Sequence, residues 1–288
     1  MPAADADRPT LGTPGYRPYD RAALSYAATF DDPLRAGAIR AVEWMTGKRR
    51  LLALIRRFER EGVERGQAFW SHALRVMGIE LRVDEAALAH IPASGPVVVV
   101  ANHPHGLVDG MVLAALIGRR REDYRILTRS LLCDVPEIER FVIPVPFPHA
   151  PDAHARMMAM RARAAYQLRR GGVVALFPAG AVAAARTWRG EAVEAPWTAF
   201  TAKLVREGGA TVVPVRFSGC NSRAYQVAGL VSPVLRQGLL LHEVVHALNR
   251  PQAPVIGAPI PPEAWAPEAA NATRFAAWLR ARCLSASA

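Results

Sequence analysis

Lysine is nearly absent from this chain: Lys48 and Lys203 are the only two, so arginine carries almost all of the formal net charge of +11. A surface this rich in guanidinium favours an anionic partner, and charge alone leaves open nucleic acid, phospholipid head groups or a phosphorylated small molecule. Long apolar runs are missing too. None approaches the roughly 18 residues that suggest a spanning helix, and Met1 to Asp20 lacks the apolar stretch of a signal peptide. These absences lead to the expectation of an intracellular protein that does not cross a membrane.

Cysteine is scarce. Cys133, Cys220 and Cys283 lie far apart with no metal-ligand spacing, which points to reduced thiols. No nucleic-acid module is recognisable, and the aromatics do not interleave with the arginines as a base-stacking surface requires, so nucleic acid is set aside as a partner. What is plentiful is apolar character, 51% of 288 residues, enough for one large domain or one domain with an appendage.

Periodicity divides the chain. Leu34 to Met45 reads as a helix with a break at Gly47. Leu51, Leu54, Ile55 and Phe58 then mark one helical face opposite Arg49, Arg50, Arg56, Arg57 and Arg60, and Phe69, Trp70, Ala73, Leu74 and Met77 continue the pattern. Such a basic amphipathic helix either lies in an anionic membrane surface or packs its stripe on a core. After Ile91-Pro92 the pattern changes. Val97 to Ala101, Val173 to Phe177 and Val212 to Phe217 read as strands buried on both faces, with Arg125 to Thr128, Phe141 to Val145 and Pro254 to Ile256 as weaker strands. Met111 to Ile117, Ala153 to Arg170, Trp197 to Glu207 and Ala270 to Cys283 read as helices. The expected fold is α/β, a mostly parallel central sheet flanked by helices, with residues 1–82 as an N-terminal tail and helical attachment and 83–288 as the main domain.

The chemistry concentrates in Asn102-His103-Pro104-His105-Gly106-Leu107-Val108-Asp109-Gly110. A buried strand ending at Ala101 delivers His103 to the carboxyl edge of the sheet, where open α/β proteins bind ligands. Pro104 and Gly106 shape a turn, and Asp109 stands near the start of a helix. A carboxylate folded back on an imidazole makes a positioned general base. The bare residues equally fit a structural turn in which Asp109 caps a helix. A second pattern competes, because His242-Glu243-Val244-Val245-His246 matches the zinc-peptidase spacing. It would need a third ligand such as Glu263 or Glu268, and Pro251, Pro254 and Pro259 interrupt the second helix such sites use.

The His103 to Gly110 segment resembles the first motif of the glycerolipid and lysophospholipid acyltransferases. Leu176-Phe177-Pro178-Ala179-Gly180 resembles their later Phe-Pro-Glu-Gly block, and Val212-Val213-Pro214-Val215 their final Pro-Val block. The likeness spans Ile91 to Ile260, with Arg129 where the family carries a basic residue. Gly219 to Ser222 and Trp197 look most like the branch labelled hemolysin-like acyltransferases. The resemblance implies an α/β enzyme that moves a fatty acyl group from acyl carrier protein or CoA to a lipid acceptor, without metal or other cofactor. His103 would be the base and Asp109 its partner, while Arg129, Phe177, Pro178, Gly180 and Arg216 would meet substrate. It also implies attachment to the cytoplasmic face of a bacterial inner membrane.

Two departures matter. Five residues separate His103 from Asp109 where the family has four, which leaves His105 open as the base. Ala179 stands where the wider family has a glutamate, and Glu191 or Glu194 would have to reach in from the following loop to replace it, against the simpler reading of both as solvated loop charges.

Overall fold

The computed structural model describes residues 10, 16–22, 24–27, 30–129, 132–133, 135–146 and 152–287. Most of the tail before residue 16 lies outside them. Helices α1 (Pro33–Glu43), α2 (Arg49–Glu61) and α3 (Ala68–Val76) come first. There follow β1 (Val97–Ala101), α4 (Leu107–Gly118), β2 (Tyr124–Thr128), β3 (Val142–Pro144), α5 (Ala153–Arg169), β4 (Val173–Leu176), the short β5 (Ala184–Ala185) and β6 (Ala192–Val193), α6 (Ala199–Gly208) and β7 (Thr211–Arg216). The chain ends with α7 (Arg223–Val231), α8 (Pro233–Gly238), α9 (Leu240–Ala247), β8 (Val255–Ile256), α10 (Pro262–Trp265) and α11 (Ala272–Leu284).

The main sheet has the order β3-β2-β4-β1-β7-β8, and every pairing is parallel except β7 with β8. This is the expected α/β architecture. Val97 to Val100 are fully buried because β1 is central and covered on both faces, which is why the sequence shows an unbroken apolar run there. Alternate residues serve opposite layers. Val97, Val99 and Ala101 join α2, α3 and α4 in one core, while Val98 and Val100 join α5, α6 and α11 in the other. Each such side chain contributes about 1.5–3 kcal/mol of burial.

The N-terminal helices depart from expectation at Gly47. Instead of breaking, the chain passes from α1 through a π-helical turn, residues 44–48, straight into α2. The glycine is needed for closeness, since a Cβ there would stand 2.9 Å from the main-chain oxygen of Leu241 on α9. Leu51 and Phe58 of α2 are buried in the same core as Trp70 and Val99, so the apolar stripe completes the interior. Arg49, Arg50, Arg56, Arg57 and Arg60 stay exposed opposite it. Among the described residues no helix is long and apolar enough to cross a membrane.

Candidate active site

Parallel pairing brings the ends of β1, β2, β4 and β7 to one edge of the sheet, and the site is built there. At the end of β1 the Asn102 side chain takes over the ladder. Its Nδ2–H donates to the Phe217 carbonyl at 2.8 Å, and the Phe217 N–H donates to its Oδ1 at 2.7 Å. With that side chain holding β7, the main chain is free to turn at His103.

Gly106, with φ of +82°, makes the turn into α4 and absorbs the extra residue between His103 and Asp109. Asp109 is fully buried in the first turn of α4, where the helix dipole favours a negative charge. Its Oδ2 accepts from His103 Nδ1 at 3.0 Å, from the His105 N–H at 2.8 Å and from the Gly106 N–H at 3.1 Å, and its Oδ1 accepts from His105 Nδ1 at 3.0 Å. Capping and ring-holding are therefore not alternatives here. One carboxylate does both and grips both histidines. Burial alone would push the Asp109 carboxyl up, but the hydrogen bonds from His103 and His105 and the charge those rings can carry outweigh it, leaving the carboxyl below its ordinary range. Because a carboxylate only accepts, each neutral ring carries its proton on Nδ1 and presents a free Nε2 lone pair.

The two rings differ in what surrounds them. His103 stacks on Phe177, ring centres 4.0 Å apart. Its N–H donates to Glu194 Oε1 at 3.1 Å, and its carbonyl accepts from the Ala183 N–H at 2.9 Å. His105 Nε2 instead faces the main chain of the loop after β7, where a Cβ added to Gly219 would come within 3.2 Å of it. Both imidazoles are mostly but not fully covered, with 18% and 15% of the side chain exposed.

The other expected residues scatter along the same edge. Phe177 leaves the end of β4, Pro178 is buried behind it, and Gly180, φ +67°, is exposed in the following turn. Arg129 lies just past β2, two strands or roughly 10 Å across the sheet from β1. Arg216, the last residue of β7, is half-buried beside Cys283 on the α11 side of the sheet, away from Asp109. Burial pushes the Cys283 thiol up to about 12, which makes it inert. Met111 and Leu113 are buried in the core.

Glu194 overturns its reading as a solvated charge. It is 6% exposed, while Glu191 is exposed as expected. Burial pushes its carboxyl up, and the neighbouring Trp197 indole, Arg280 guanidinium and His103 draw it back only in part. No sequence signal marks it, since it lies 91 residues beyond His103 behind the two-residue strands β5 and β6.

The zinc pattern dissolves into packing. Glu243 accepts from the Ser222 hydroxyl at 2.6 Å and the Ser222 N–H at 2.7 Å, and His242 Nδ1 sits 3.2 Å from the Thr46 carbonyl. With Glu243 occupied, its work is to anchor the Gly219 to Ser222 loop that abuts His105. Among the described residues no group of three His, Cys, Asp or Glu is arranged to hold a metal ion.

Among the described residues no nucleophile elbow stands beside this carboxylate-held imidazole at the carboxyl edge of the parallel sheet, an arrangement chemically able to draw a proton from a hydroxyl or amine. Residues 82–218 match the family model described as Acyltransferase. No protein of curated function matches the chain by sequence. Among solved structures it is similar to the 1-acyl-sn-glycerophosphate (LPA) acyltransferase PlsC from Thermotoga maritima, at 12% identity, over 88% of this chain and 81% of that one, with a TM-score of 0.48.

Proposed function

We propose that this acyltransferase moves a fatty acyl group from a thioester, acyl carrier protein or CoA, to the hydroxyl of a lysophospholipid-like or other lipid acceptor. The observation that carries the reading is the Asp109-held His103 inside the acyltransferase segment. His103 Nε2 takes the proton as the acceptor oxygen bonds to the thioester carbonyl carbon. Asp109 stabilises the imidazolium, the carbon–sulfur bond breaks, and the departing thiolate recovers the proton from His103, giving an ester and a thiol.

His103 is assigned the base because Asp109 and Phe177 hold its ring while Glu194 and Ala183 hold its main chain, whereas His105 Nε2 is turned toward Gly219. Arg129 and Arg216 offer forked charges for a head group or for the donor's phosphate. The Gly219 to Ser222 loop and the Phe-Pro-Ala-Gly turn support the hemolysin-like branch. The exposed arginines of α2, next to the exposed Trp44 and Met45, support peripheral attachment to the anionic cytoplasmic face of a bacterial inner membrane. Transfer from acyl-ACP or acyl-CoA to a panel of lysolipids tests the reading, with His103→Ala and His105→Ala in parallel. His103→Ala should lose at least 100-fold in kcat. Equal activity of His103→Ala and the unmodified protein would overturn it.

A further inference from the structure

Helix α1 is apolar on both sides. Ala36 and Ile39 are buried and pack with Val234 of α8. On the opposite side Leu34, Ala38, Ala41 and, in the π-helical turn that continues the helix, Met45 recur at helical spacing and stand in the open, Leu34 being 83% exposed. A second apolar projection lies where α7 turns into α8. From Ala224 to Leu235 no residue is charged, and Val231 and Leu235 are exposed at the corner. The third is the β5–β6 hairpin, where Trp188 is 66% exposed and flanked by Arg186 and Arg189. These projections adjoin, because α1 packs on α8, α8 on α7 and α7 on β5. The hairpin is tied to α7 twice, by the Arg223 guanidinium donating to the Gly190 carbonyl at 3.0 Å and by the Ala185 N–H donating to Gln226 Oε1 at 2.8 Å. Apart from Met158 and Tyr166 on α5, the large apolar side chains exposed among the described residues all lie on these elements. Apolar surface gathered in this way marks an interaction. Helices α1, α7 and α8 fall outside residues 82–218, so most of it is this chain's own rather than the matched segment's.

We propose that this surface seats on an anionic phospholipid bilayer, with Leu34, Met45, Val231 and Leu235 in the acyl boundary and Trp188 at the head-group level, so that the contact extends past the N-terminal helices to the edge of the active site. Charge selects the occupant. The hairpin carries exposed Arg186 and Arg189 against one carboxylate, Glu191, and α7 and α8 carry Arg223 and Arg236 and no carboxylate. Guanidinium groups beside exposed apolar side chains suit lipid phosphates above acyl chains, and an indole, apolar with one N–H donor, suits the boundary between them. A second copy would set this arginine rim against its like. The position has a consequence for the base. Ala183, just before β5, donates its N–H to the His103 carbonyl at 2.9 Å, and Glu194, just after β6, accepts the His103 N–H on Oε1 at 3.1 Å. The lipid contact and the base thus share one short hairpin, and an acceptor lying in the bilayer is presented to His103 at the point of contact. That consequence rests on the acyl-transfer reading above; the seat itself does not.

The test uses phosphatidylglycerol vesicles whose acyl chains carry bromine, which quenches indoles that reach the bilayer. Trp44 and Trp188 are the two exposed indoles among the described residues. Trp44→Phe leaves Trp188, whose emission should fall on binding, and adding Trp188→Phe should remove that quenching. Val231→Ser with Leu235→Ser should weaken partition into unbrominated phosphatidylglycerol vesicles by about tenfold or more in co-sedimentation, with thermal melting as the check of the fold. Transfer to a lysolipid held in those vesicles should lose a like factor in kcat/KM, mainly through KM. Should the double variant melt early, the quenching of Trp188 decides alone. Vesicle-bound protein whose Trp188 escapes quenching overturns the inference and leaves the N-terminal helices as the whole attachment. It is overturned equally by a partition that the folded double variant leaves unmoved, by an unmodified protein that ignores the vesicles, or by a dimer in solution that the double substitution breaks apart, which would make the face a contact between copies. Vesicle binding with Trp188 quenched but no acyl transfer to any acceptor removes the function proposed above and upholds this surface.

Discussion

Asp109→Asn separates the two things the carboxylate does for His103, which are to fix the ring and to supply a negative charge. Asparagine keeps one accepting oxygen. Placed at the Oδ2 position, it retains the bonds from His103 Nδ1, His105 N–H and Gly106 N–H, and its NH2 meets His105 Nδ1. His105 answers by moving its proton to Nε2, while His103 keeps the tautomer with a free Nε2. The variant therefore loses charge but not orientation. A pair of unit charges about 4 Å apart interacts by about 4 kcal/mol at an effective dielectric of about 20. Losing about 2–4 kcal/mol of that in the transition state lowers kcat by roughly 30- to 1,000-fold. His103→Ala, which removes the base, should fall further, toward about 10⁴-fold. Thiol release from an acyl thioester measures kcat, and thermal melting checks the fold. Activity within threefold of the unmodified protein would refute the role of charge. A folded variant as inactive as His103→Ala would refute the tautomer argument. The pH dependence has a defined sign. A carboxyl held below its unfolded value contributes stability that is complete above the ordinary range and lost as pH falls through the folded value. The advantage over Asp109→Asn should persist down to about pH 4 and shrink below it.

Glu194 should show the opposite linkage: burial raises its carboxyl, so its contribution is favourable below the ordinary carboxylate range and is lost as pH rises through the raised value. Glu194→Gln should thus melt about 2–4 °C higher at neutral pH, with the gain vanishing in acid, as thermal unfolding across pH would reveal. Gly47→Ala sets a Cβ against the Leu241 main chain and should cost about 2 kcal/mol in denaturant unfolding without changing acceptor KM; an unaltered midpoint would mean that the α1–α2 turn yields freely. Reversing Arg49, Arg56 and Arg57 to glutamate should abolish flotation with phosphatidylglycerol vesicles, and undiminished flotation would remove electrostatic attachment.

The strands were legible because burial on both faces leaves Val97 to Ala101 and Val212 to Val215 no reason to alternate. Their ends were less so. Phe177 and Phe217, read into β4 and β7, leave the ladder, the first to stack on His103 and the second to meet the Asn102 side chain. Gly47 was misread because local propensity makes glycine a helix breaker, whereas the close approach of α9 keeps it inside a continuous helix. The spacing of His103 and Asp109 looked like a defect in one dimension, and a single positive φ at Gly106 repairs it in three. Glu194 was beyond reach, since nothing local distinguishes a loop glutamate in water from one drawn under a sheet edge. The His242 to His246 pattern was a coincidence of helical spacing, visible as such only once Ser222 was seen to occupy Glu243.

Helix α11 sits far past residue 218, where the acyltransferase match stops, yet Cys283 lies 3.3 Å from the Val215 carbonyl and Arg280 holds the Glu194 main chain. The stretch that the family model matches and the stretch that builds this core thus have different borders. A fragment trimmed to the matched stretch would bare the α11 side of β1 and β7 to water and release the loop that steadies His103.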